Sequence, residues 1–179
     1  DGRVERLIDE NPVEEWIMPV AVGGPAPFNL LAVWATMSRE YLKASEGSEA
    51  VGPLRLALQR HRRFLASTDA VVAGDFNNGA MWDAPLKPSS HAYGVADLAS
   101  FGLLSAYHRS RRCEQGDEGE ATWFRHKKEE QPYHIDYCFL PKSWAVEQAE
   151  IVEFPDGIDV GGIGKEFHGS VPGSDGRKC

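Results

Sequence analysis

The sequence predicts an α/β fold, in which strands and helices alternate along the chain. Ala70 to Ala73 are apolar or β-branched residues that end at Gly74, a pattern typical of a buried strand. A helix is predicted just before this strand, because Pro53 is a favoured first helical residue and apolar residues follow it at helical spacing. Tyr133 to Pro141 predicts another strand, since Ile, Tyr and Phe are good strand formers and the proline ends the run.

The elements around these three follow from turn signals and capping residues. Met18 to Val22 and Phe28 to Ala35 are apolar runs that predict a β-hairpin. After the central strand, Ser89 or Ser90 can cap a helix that continues to about Phe101. Four further predictions are a strand at Leu103 to Tyr107, a loop at Arg109 to Glu120, an antiparallel pair of Thr122 to Phe124 with Tyr133 to Leu140, and a strand at Ala145 to Phe154.

Length, charge and cysteine content narrow the class of protein. A chain of 179 residues, 42% of them hydrophobic, suits one domain with a sizeable core. The net charge of −8 argues against a general basic surface for nucleic acid, so phosphate binding would depend on a local patch or on bound cations. The cysteines are widely spaced without a CxxC pair, which favours reduced thiols in a cytoplasmic protein.

Targeting signals are not evident in the sequence. No apolar run has the length of a membrane span, and the first residues lack the pattern of a signal peptide. The first residue is Asp1 rather than Met, however, so a preceding segment, targeting sequence included, could be absent.

Asp75 and Asn77 follow the central strand and are the first candidate functional residues. Side chains alternate along an extended chain, so the two are expected to project from the same side. The carboxylate can hold a hard cation or take a proton from water, and the amide can orient a substrate oxygen or that carboxylate. The alternative is a simple turn, in which the two side chains bond back to nearby N–H groups.

Asp136 is the second candidate, since it is expected at the centre of the strand Tyr133 to Pro141. A carboxylate within such a strand is costly to bury unless it is paired, hydrogen-bonded or functional. The alternative is an aspartate on a solvent-facing side of the strand.

The motifs GDFN (74–77) and HIDY (134–137), in this order and about 60 residues apart, resemble those of the endonuclease/exonuclease/phosphatase superfamily of metal-dependent phosphoesterases. The resemblance extends from about Met18 to Pro141. It implies a four-layer α/β sandwich, of which this chain would be a part, with two mixed β-sheets flanked by helices. It also implies hydrolysis of phosphodiesters or phosphomonoesters with Mg²⁺ or Mn²⁺, on substrates that include nucleic acids, inositol phosphates and lipids.

The resemblance also implies a role for individual residues. Asp75 matches the aspartate that activates or positions the attacking water, and Asn77 matches its amide partner at the reacting phosphate. Asp136 matches an aspartate that supports the active-site network. His134 stands where the family often has Arg, so a substrate-binding position facing the phosphate is expected, and Asp175 is the candidate metal ligand.

The chain departs from the family pattern in two places. The family begins with a strand that carries an Asn and continues to a metal-binding Glu, and neither is found here. The family's terminal Ser-Asp-His motif is matched only by Ser174-Asp175, which Gly176 follows. We therefore expect residues 1–154 to form an incomplete domain with impaired catalysis, and residues 155–179 to form an irregular or disordered tail.

Three explanations remain open for these departures. The chain is a partial sequence with an altered C-terminal end, or a short homologue that has lost catalysis and acts as a binding or interaction domain. In the third, the two motifs occur by coincidence in an α/β binding domain. The sequence alone does not distinguish the substrate, the preferred metal or the oligomeric state.

Overall fold

The α/β class is confirmed by a computed structural model, which describes residues 3–6, 16–36, 51–124 and 132–152. A mixed six-stranded sheet runs through this part of the chain, and a separate two-stranded sheet lies beside it. Of the sandwich expected from the family resemblance, the described residues thus form one large sheet and its helices. None of their helices is long and apolar enough to cross a membrane.

The strands are β1 (Val4–Arg6), β2 (Ile17–Val22), β3 (Phe28–Trp34), β4 (Ala70–Asp75), β5 (Leu103–Ser105), β6 (Trp123–Phe124), β7 (Pro132–Tyr133) and β8 (Asp136–Pro141). The large sheet has the order β1-β2-β3-β4-β8-β5, and β6 pairs with β7 in the small sheet. Strands β3 and β4 are parallel, whereas β4 and β8 are antiparallel. The predicted hairpin is confirmed as the antiparallel pair of β2 and β3.

The helices are α1 (Pro53–Arg60), α2 (Arg62–Leu65), α3 (His91–Ser100) and α4 (Ala106–Arg111), with a short 3₁₀ helix at Ala80–Trp82. Helices α1 and α3 pack on one face of the large sheet and bury Leu58 and Leu98 against Leu31 and Val72 of the sheet. Apolar residues alternate with less buried ones along β3 and β8, so one face of each strand joins this core.

The helix predicted after Ser89 or Ser90 is confirmed, but its N-terminus is capped differently from the sequence expectation. The Ser90 hydroxyl accepts a hydrogen bond from the N–H of Lys87 and caps no helical N–H. The carboxylate of Asp83 instead accepts hydrogen bonds from the N–H groups of His91 at 2.6 Å and Ala92 at 2.8 Å. A negative charge at this end is favourable, because the helix dipole is positive there.

Three boundary predictions are wrong. Tyr133 to Leu140 is not one strand: β7 pairs with β6, the chain bends at residues 134–135, and β8 then joins the large sheet. The strand predicted at Leu103 to Tyr107 ends at Ser105, whose hydroxyl caps helix α4, and this helix extends to Arg111 within the predicted loop. Residues 145–152 form no strand. The predicted tail at 155–179 lies outside the described residues.

Candidate active site

Strand β4 carries the GDFN motif to one end of the large sheet. At Gly74 the backbone has φ +135°, and a Cβ atom placed there would lie 2.0 Å from the carbonyl oxygen of Val33. Only glycine therefore allows β3 and β4 to approach each other at this point. The following residue, Asp75, ends the strand and lies partly buried beside β3 and β8.

Asn77 contacts Asp75 through both its backbone and its side chain. The Asn77 N–H donates to Oδ1 of Asp75 at 2.7 Å, and Nδ2 donates to Oδ2 at 3.0 Å. The sequence predicted that the two side chains would meet through strand alternation, but the cause is different. Strand β4 ends at Asp75, and Asn77 lies in a turn with a left-handed φ of 46°. The turn and the functional pairing are thus the same structure, and Asn is one of the few residues that tolerate this φ.

Phe76 separates the two polar residues and anchors the motif in the core. Its ring is 2% exposed and stacks on Phe139 with ring centroids 5.7 Å apart. Its N–H donates to the carbonyl oxygen of Ile135 at 2.8 Å. This anchor joins GDFN to the HIDY segment, which brings Asp136 to the same end of the sheet.

Asp136 is the direct neighbour of Asp75 in the antiparallel pairing of β4 and β8. It is the first residue of β8, so the expectation that it lies at the centre of a strand is wrong. The Thr122 hydroxyl oxygen accepts hydrogen bonds from the N–H groups of Ile135 at 3.0 Å and Asp136 at 3.1 Å. Thr122 therefore holds the backbone that presents the second carboxylate.

The environment of Asp75 raises its pKa from 3.8 to about 6. Burial of the carboxyl is the main cause, and the negative charge of Asp136 adds to it, whereas the hydrogen bonds from Asn77 act in the opposite direction. Such a carboxylate takes up a proton more readily than an ordinary aspartate, as a general base near neutral pH must.

His134 lies inside the protein, next to the site. Its side chain is 4% exposed, and Nδ1 donates to the carbonyl oxygen of Glu120 at 2.8 Å. Burial lowers the pKa of the imidazole, which favours the neutral form. Its Nε2 has no hydrogen-bond partner among the described residues. This position supports the fold around HIDY, and direct contact of His134 with a substrate phosphate stays a prediction.

The metal ligand predicted at Asp175 lies outside the described residues. Within them, no group of three or more His, Cys, Asp or Glu side chains could hold a metal ion. The carboxylates of Asp75 and Asp136 are two oxygen donors of the kind that Mg²⁺ prefers, but two carboxylates alone are an incomplete ligand set. The described residues by themselves therefore do not fit a complete metal site.

A cavity of about 460 Å³ opens beside Asn77, between helix α1, the N-terminus of α3 and the loop after β4. Asn77 and Phe76 form part of its wall, together with Trp82 and His91. The sequence suggested Trp82 as a pocket wall or as packing under a loop. It did not indicate His91, because the residue lies 14 positions after Asn77 and only the packing of α3 brings it close.

A partly buried hydrogen-bonded chain leads away from His91, and the sequence did not indicate it. His91 Nε2 lies 2.8 Å from Oε1 of Gln115, and Gln115 Nε2 lies 3.2 Å from Nδ1 of His108. His108 Nε2 in turn lies 3.0 Å from Oε1 of Glu118. Burial alone would raise the pKa of Glu118, but the hydrogen bond from His108 and that from the Gly116 N–H lower it to about 2. Glu118 is thus the charged acceptor that ends the chain.

No protein-family model and no curated protein matches the sequence. Solved structures do match the fold. An endonuclease/exonuclease/phosphatase family protein from Leptotrichia buccalis has 15% identity and a TM-score of 0.40, covering 69% of this chain and 40% of that one. The 3'-5' exonuclease NExo from Neisseria meningitidis has 15% identity and a TM-score of 0.45, covering 77% and 57%. Truncated TDP2 from Caenorhabditis elegans has 12% identity and a TM-score of 0.43, covering 78% and 51%.

The first of these structures carries the name of the family that the two motifs resemble. The TM-scores are below 0.5, so these structures do not indicate a function for this chain. The chain spans 40%, 57% and 51% of the length of the three structures.

Proposed function

We propose that this chain belongs to a metal-dependent phosphoesterase of the endonuclease/exonuclease/phosphatase type, with its reaction centre at Asp75. The main support is one observation: Asp75 and Asp136 are opposed on neighbouring strands, and Asn77 binds both carboxylate oxygens of Asp75. Two motifs that are 60 residues apart in sequence thus meet at one end of the large sheet. The substrate class is a phosphodiester or phosphomonoester, with nucleic acids among the candidates.

Asp75 is proposed as the base that activates the attacking water. Its pKa of about 6 leaves the carboxylate ionised at neutral pH yet able to accept a proton. The water oxygen would form the new bond to phosphorus while its proton moves to Asp75, and the bond from phosphorus to the ester oxygen would break, so that this oxygen leaves with the alcohol and takes up a proton. The two hydrogen bonds from Asn77 keep the carboxylate in one orientation for this step.

Asn77 and Asp136 are proposed to act by positioning and by charge. The Asn77 amide is half of the pair with Asp75 and also lies on the wall of the adjacent cavity, where it can reach a substrate oxygen. The negative charge of Asp136 contributes to the raised pKa of Asp75. Neutralising Asp136 would therefore weaken Asp75 as a base.

Mg²⁺ or Mn²⁺ is part of the proposal because the family resemblance implies it. A bound divalent ion would polarise the phosphoryl oxygens and offset their charge in the transition state. Asp175 is the proposed ligand for it. A cytoplasmic location is likewise proposed, from the number and spacing of the cysteines.

The test is hydrolysis of bis(4-nitrophenyl) phosphate and 4-nitrophenyl phosphate by the purified chain, with Mg²⁺, with Mn²⁺ and with EDTA. Because catalysis by the incomplete domain is expected to be impaired, we expect low metal-dependent turnover, which falls at least about a hundredfold in Asp75→Asn and in Asn77→Ala. Glu147→Gln, an exposed carboxylate beyond the opposite end of β8, is the matched control and should leave turnover unchanged.

Two results would reject the assignment. Turnover that persists in Asp75→Asn would place the reaction elsewhere. A folded chain without turnover under any metal condition would favour the alternative function, a non-catalytic domain that binds a partner.

A further inference from the structure

The cavity beside Asn77 has the size and lining of a small-molecule site. Its volume of about 460 Å³ lies in the range of pockets that hold a drug-sized ligand. Val51, Leu54 and Phe76 make part of the wall apolar, and Asn77 and His91 add polar groups. Because Asn77 also binds Asp75, a molecule whose phosphate reacts at Asp75 could extend its organic part into this cavity.

The flat indole ring of Trp82 lines this cavity, and a contact with Tyr133 restrains it. Its ring lies against Tyr133, with the centroids 5.1 Å apart and the planes at 33°. Trp82 lines the cavity and is still 47% exposed, so its contact with Tyr133 leaves part of the ring open. Stacking of a planar base on such a side chain stabilises complexes with single-stranded nucleic acids.

Nδ1 of His91 is a hydrogen-bond acceptor, because the hydrogen bond between Nε2 and Gln115 fixes the tautomer of the ring. The carbonyl of Gln115 can only accept, so the proton of His91 is on Nε2 and its Nδ1 carries a lone pair. The donor-to-acceptor direction is the same in the next two hydrogen bonds. The amide of Gln115 donates to His108, and His108 donates to the Glu118 carboxylate. His91 is 3% exposed, and burial lowers its pKa, so the imidazole stays neutral.

Two cationic side chains line the cavity, and within the described residues only one of them is engaged in an ion pair. Arg55 binds the carboxylate of Asp97 at 2.6 Å. The side chain of Lys87 is exposed and has no hydrogen-bond or ion-pair partner among the described residues. In a chain of net charge −8, an open lysine beside the pocket favours a ligand with a negative group.

We propose that this cavity is a subsite for a flat ring with an N–H donor, attached to the phosphate that reacts at Asp75, with Trp82 as the stacking surface and His91 Nδ1 as the acceptor. The ligand class with these features is the nucleoside monophosphate unit, either free or as part of a chain. The inference rests on the proposed function, since it names the group that the phosphoester carries.

Calorimetric titration of the Asp75→Asn chain measures binding to the cavity in the absence of turnover, so it tests the subsite separately from catalysis. The probes are adenosine 5'-monophosphate, purine riboside 5'-monophosphate, which lacks the exocyclic amine, and ribose 5-phosphate, which lacks the ring. We expect the adenosine compound to bind about tenfold or more tightly than the purine riboside compound, and ribose 5-phosphate to bind least.

The variants assign the roles. Trp82→Ala should weaken both ring compounds about tenfold or more, because the stacking surface is lost. His91→Phe should remove the difference between the two ring compounds and leave the binding of purine riboside 5'-monophosphate nearly unchanged. Equal binding of ribose 5-phosphate and the ring compounds, the same discrimination in His91→Phe, or no binding of any probe would overturn the proposal.

A spectroscopic measurement covers the case in which His91→Phe fails to fold. Imidazole ¹⁵N shifts of the Asp75→Asn chain should show His91 protonated at Nε2 only, and adenosine 5'-monophosphate should shift the Nδ1 signal. Gln115→Met cuts the hydrogen-bonded chain outside the cavity and should yield a mixture of both tautomers. A His91 that is protonated at Nδ1 in the parent chain would reject the acceptor role. A parent chain that binds the probes but shows no metal-dependent turnover would reject the proposed function of Asp75 alone.

Discussion

Asp75 and Asp136 are opposed across the antiparallel strands β4 and β8, so two carboxylates meet where the ladder of the large sheet ends. Like charges at this separation favour the protonated form of one partner, and burial acts in the same direction on Asp75. Repulsion between the two carboxylates therefore raises the free energy of the doubly ionised pair, and binding of a proton or a cation would lower it.

The pH dependence of turnover should report the ionisation of Asp75. The free enzyme needs this carboxylate deprotonated to accept a proton from water, and its pKa is raised to about 6. We therefore expect kcat/KM to rise with pH and to level off above a midpoint of about 6, as measured on a diester whose own ionisation does not change in this range. A flat profile between pH 4 and 8 would contradict the role of Asp75 as the base.

Asp75→Asn should stabilise the fold at neutral pH while it abolishes turnover. The folded-state pKa lies above the unfolded value of 3.8, so the wild-type fold loses stability as the pH rises from about 4 to about 6. Asparagine does not carry this charge. Above pH 6 we expect a gain in the free energy of unfolding on the order of 1 kcal/mol, less than the full shift implies because the side chain keeps some contact with solvent.

Urea unfolding of both chains at pH 3.5, 5 and 8 measures this difference. The difference should be smallest at pH 3.5, where Asp75 is protonated in the folded state and mostly protonated in the unfolded state, and it should grow towards pH 8. A variant that is less stable than wild type at pH 8 would show that the carboxylate contributes more to the fold than its ionisation costs.

Thr122→Val should weaken both the fold and the placement of Asp136. Valine has the shape of threonine, but it leaves the N–H groups of Ile135 and Asp136 without the oxygen that accepts their hydrogen bonds. We expect a loss of about 1–3 kcal/mol in unfolding free energy and a fall in kcat. Thr122→Ser keeps the oxygen and should retain most of both. A large loss in Thr122→Ser with little loss in Thr122→Val would indicate that the methyl group, rather than the hydrogen bonds, is responsible.

Asp83→Ala should destabilise helix α3, although Asp83 lies eight residues before its first residue, His91. The substitution removes the acceptor for the N–H groups of His91 and Ala92 together with a favourable charge at the helix N-terminus. Thermal unfolding should show a loss of about 1–2 kcal/mol. Glu147→Ala, at an exposed site, is the control and should change stability little. An unchanged midpoint in Asp83→Ala would show that another group caps α3.

The sequence by itself determined the local elements and the chemistry at their ends. The apolar run before Gly74, the proline at the start of α1 and the hairpin of β2 and β3 are all encoded by neighbouring residues, through burial patterns, turn signals and fixed φ angles. The same holds for the pairing of Asp75 with Asn77, whose hydrogen bonds span two residues.

Only the tertiary structure decided which distant groups meet and what charge they carry. Asp136 begins β8 because Thr122 and the Phe76 N–H bind the bend before it, and those contacts span 14 and 59 residues. The capping of α3 by Asp83 and the chain from His91 to Glu118 likewise depend on loops that close through space. Such contacts leave no periodic signal in the sequence. The raised pKa of Asp75 follows from its burial and from the nearby charge of Asp136, and both conditions arise only once the sheet has formed.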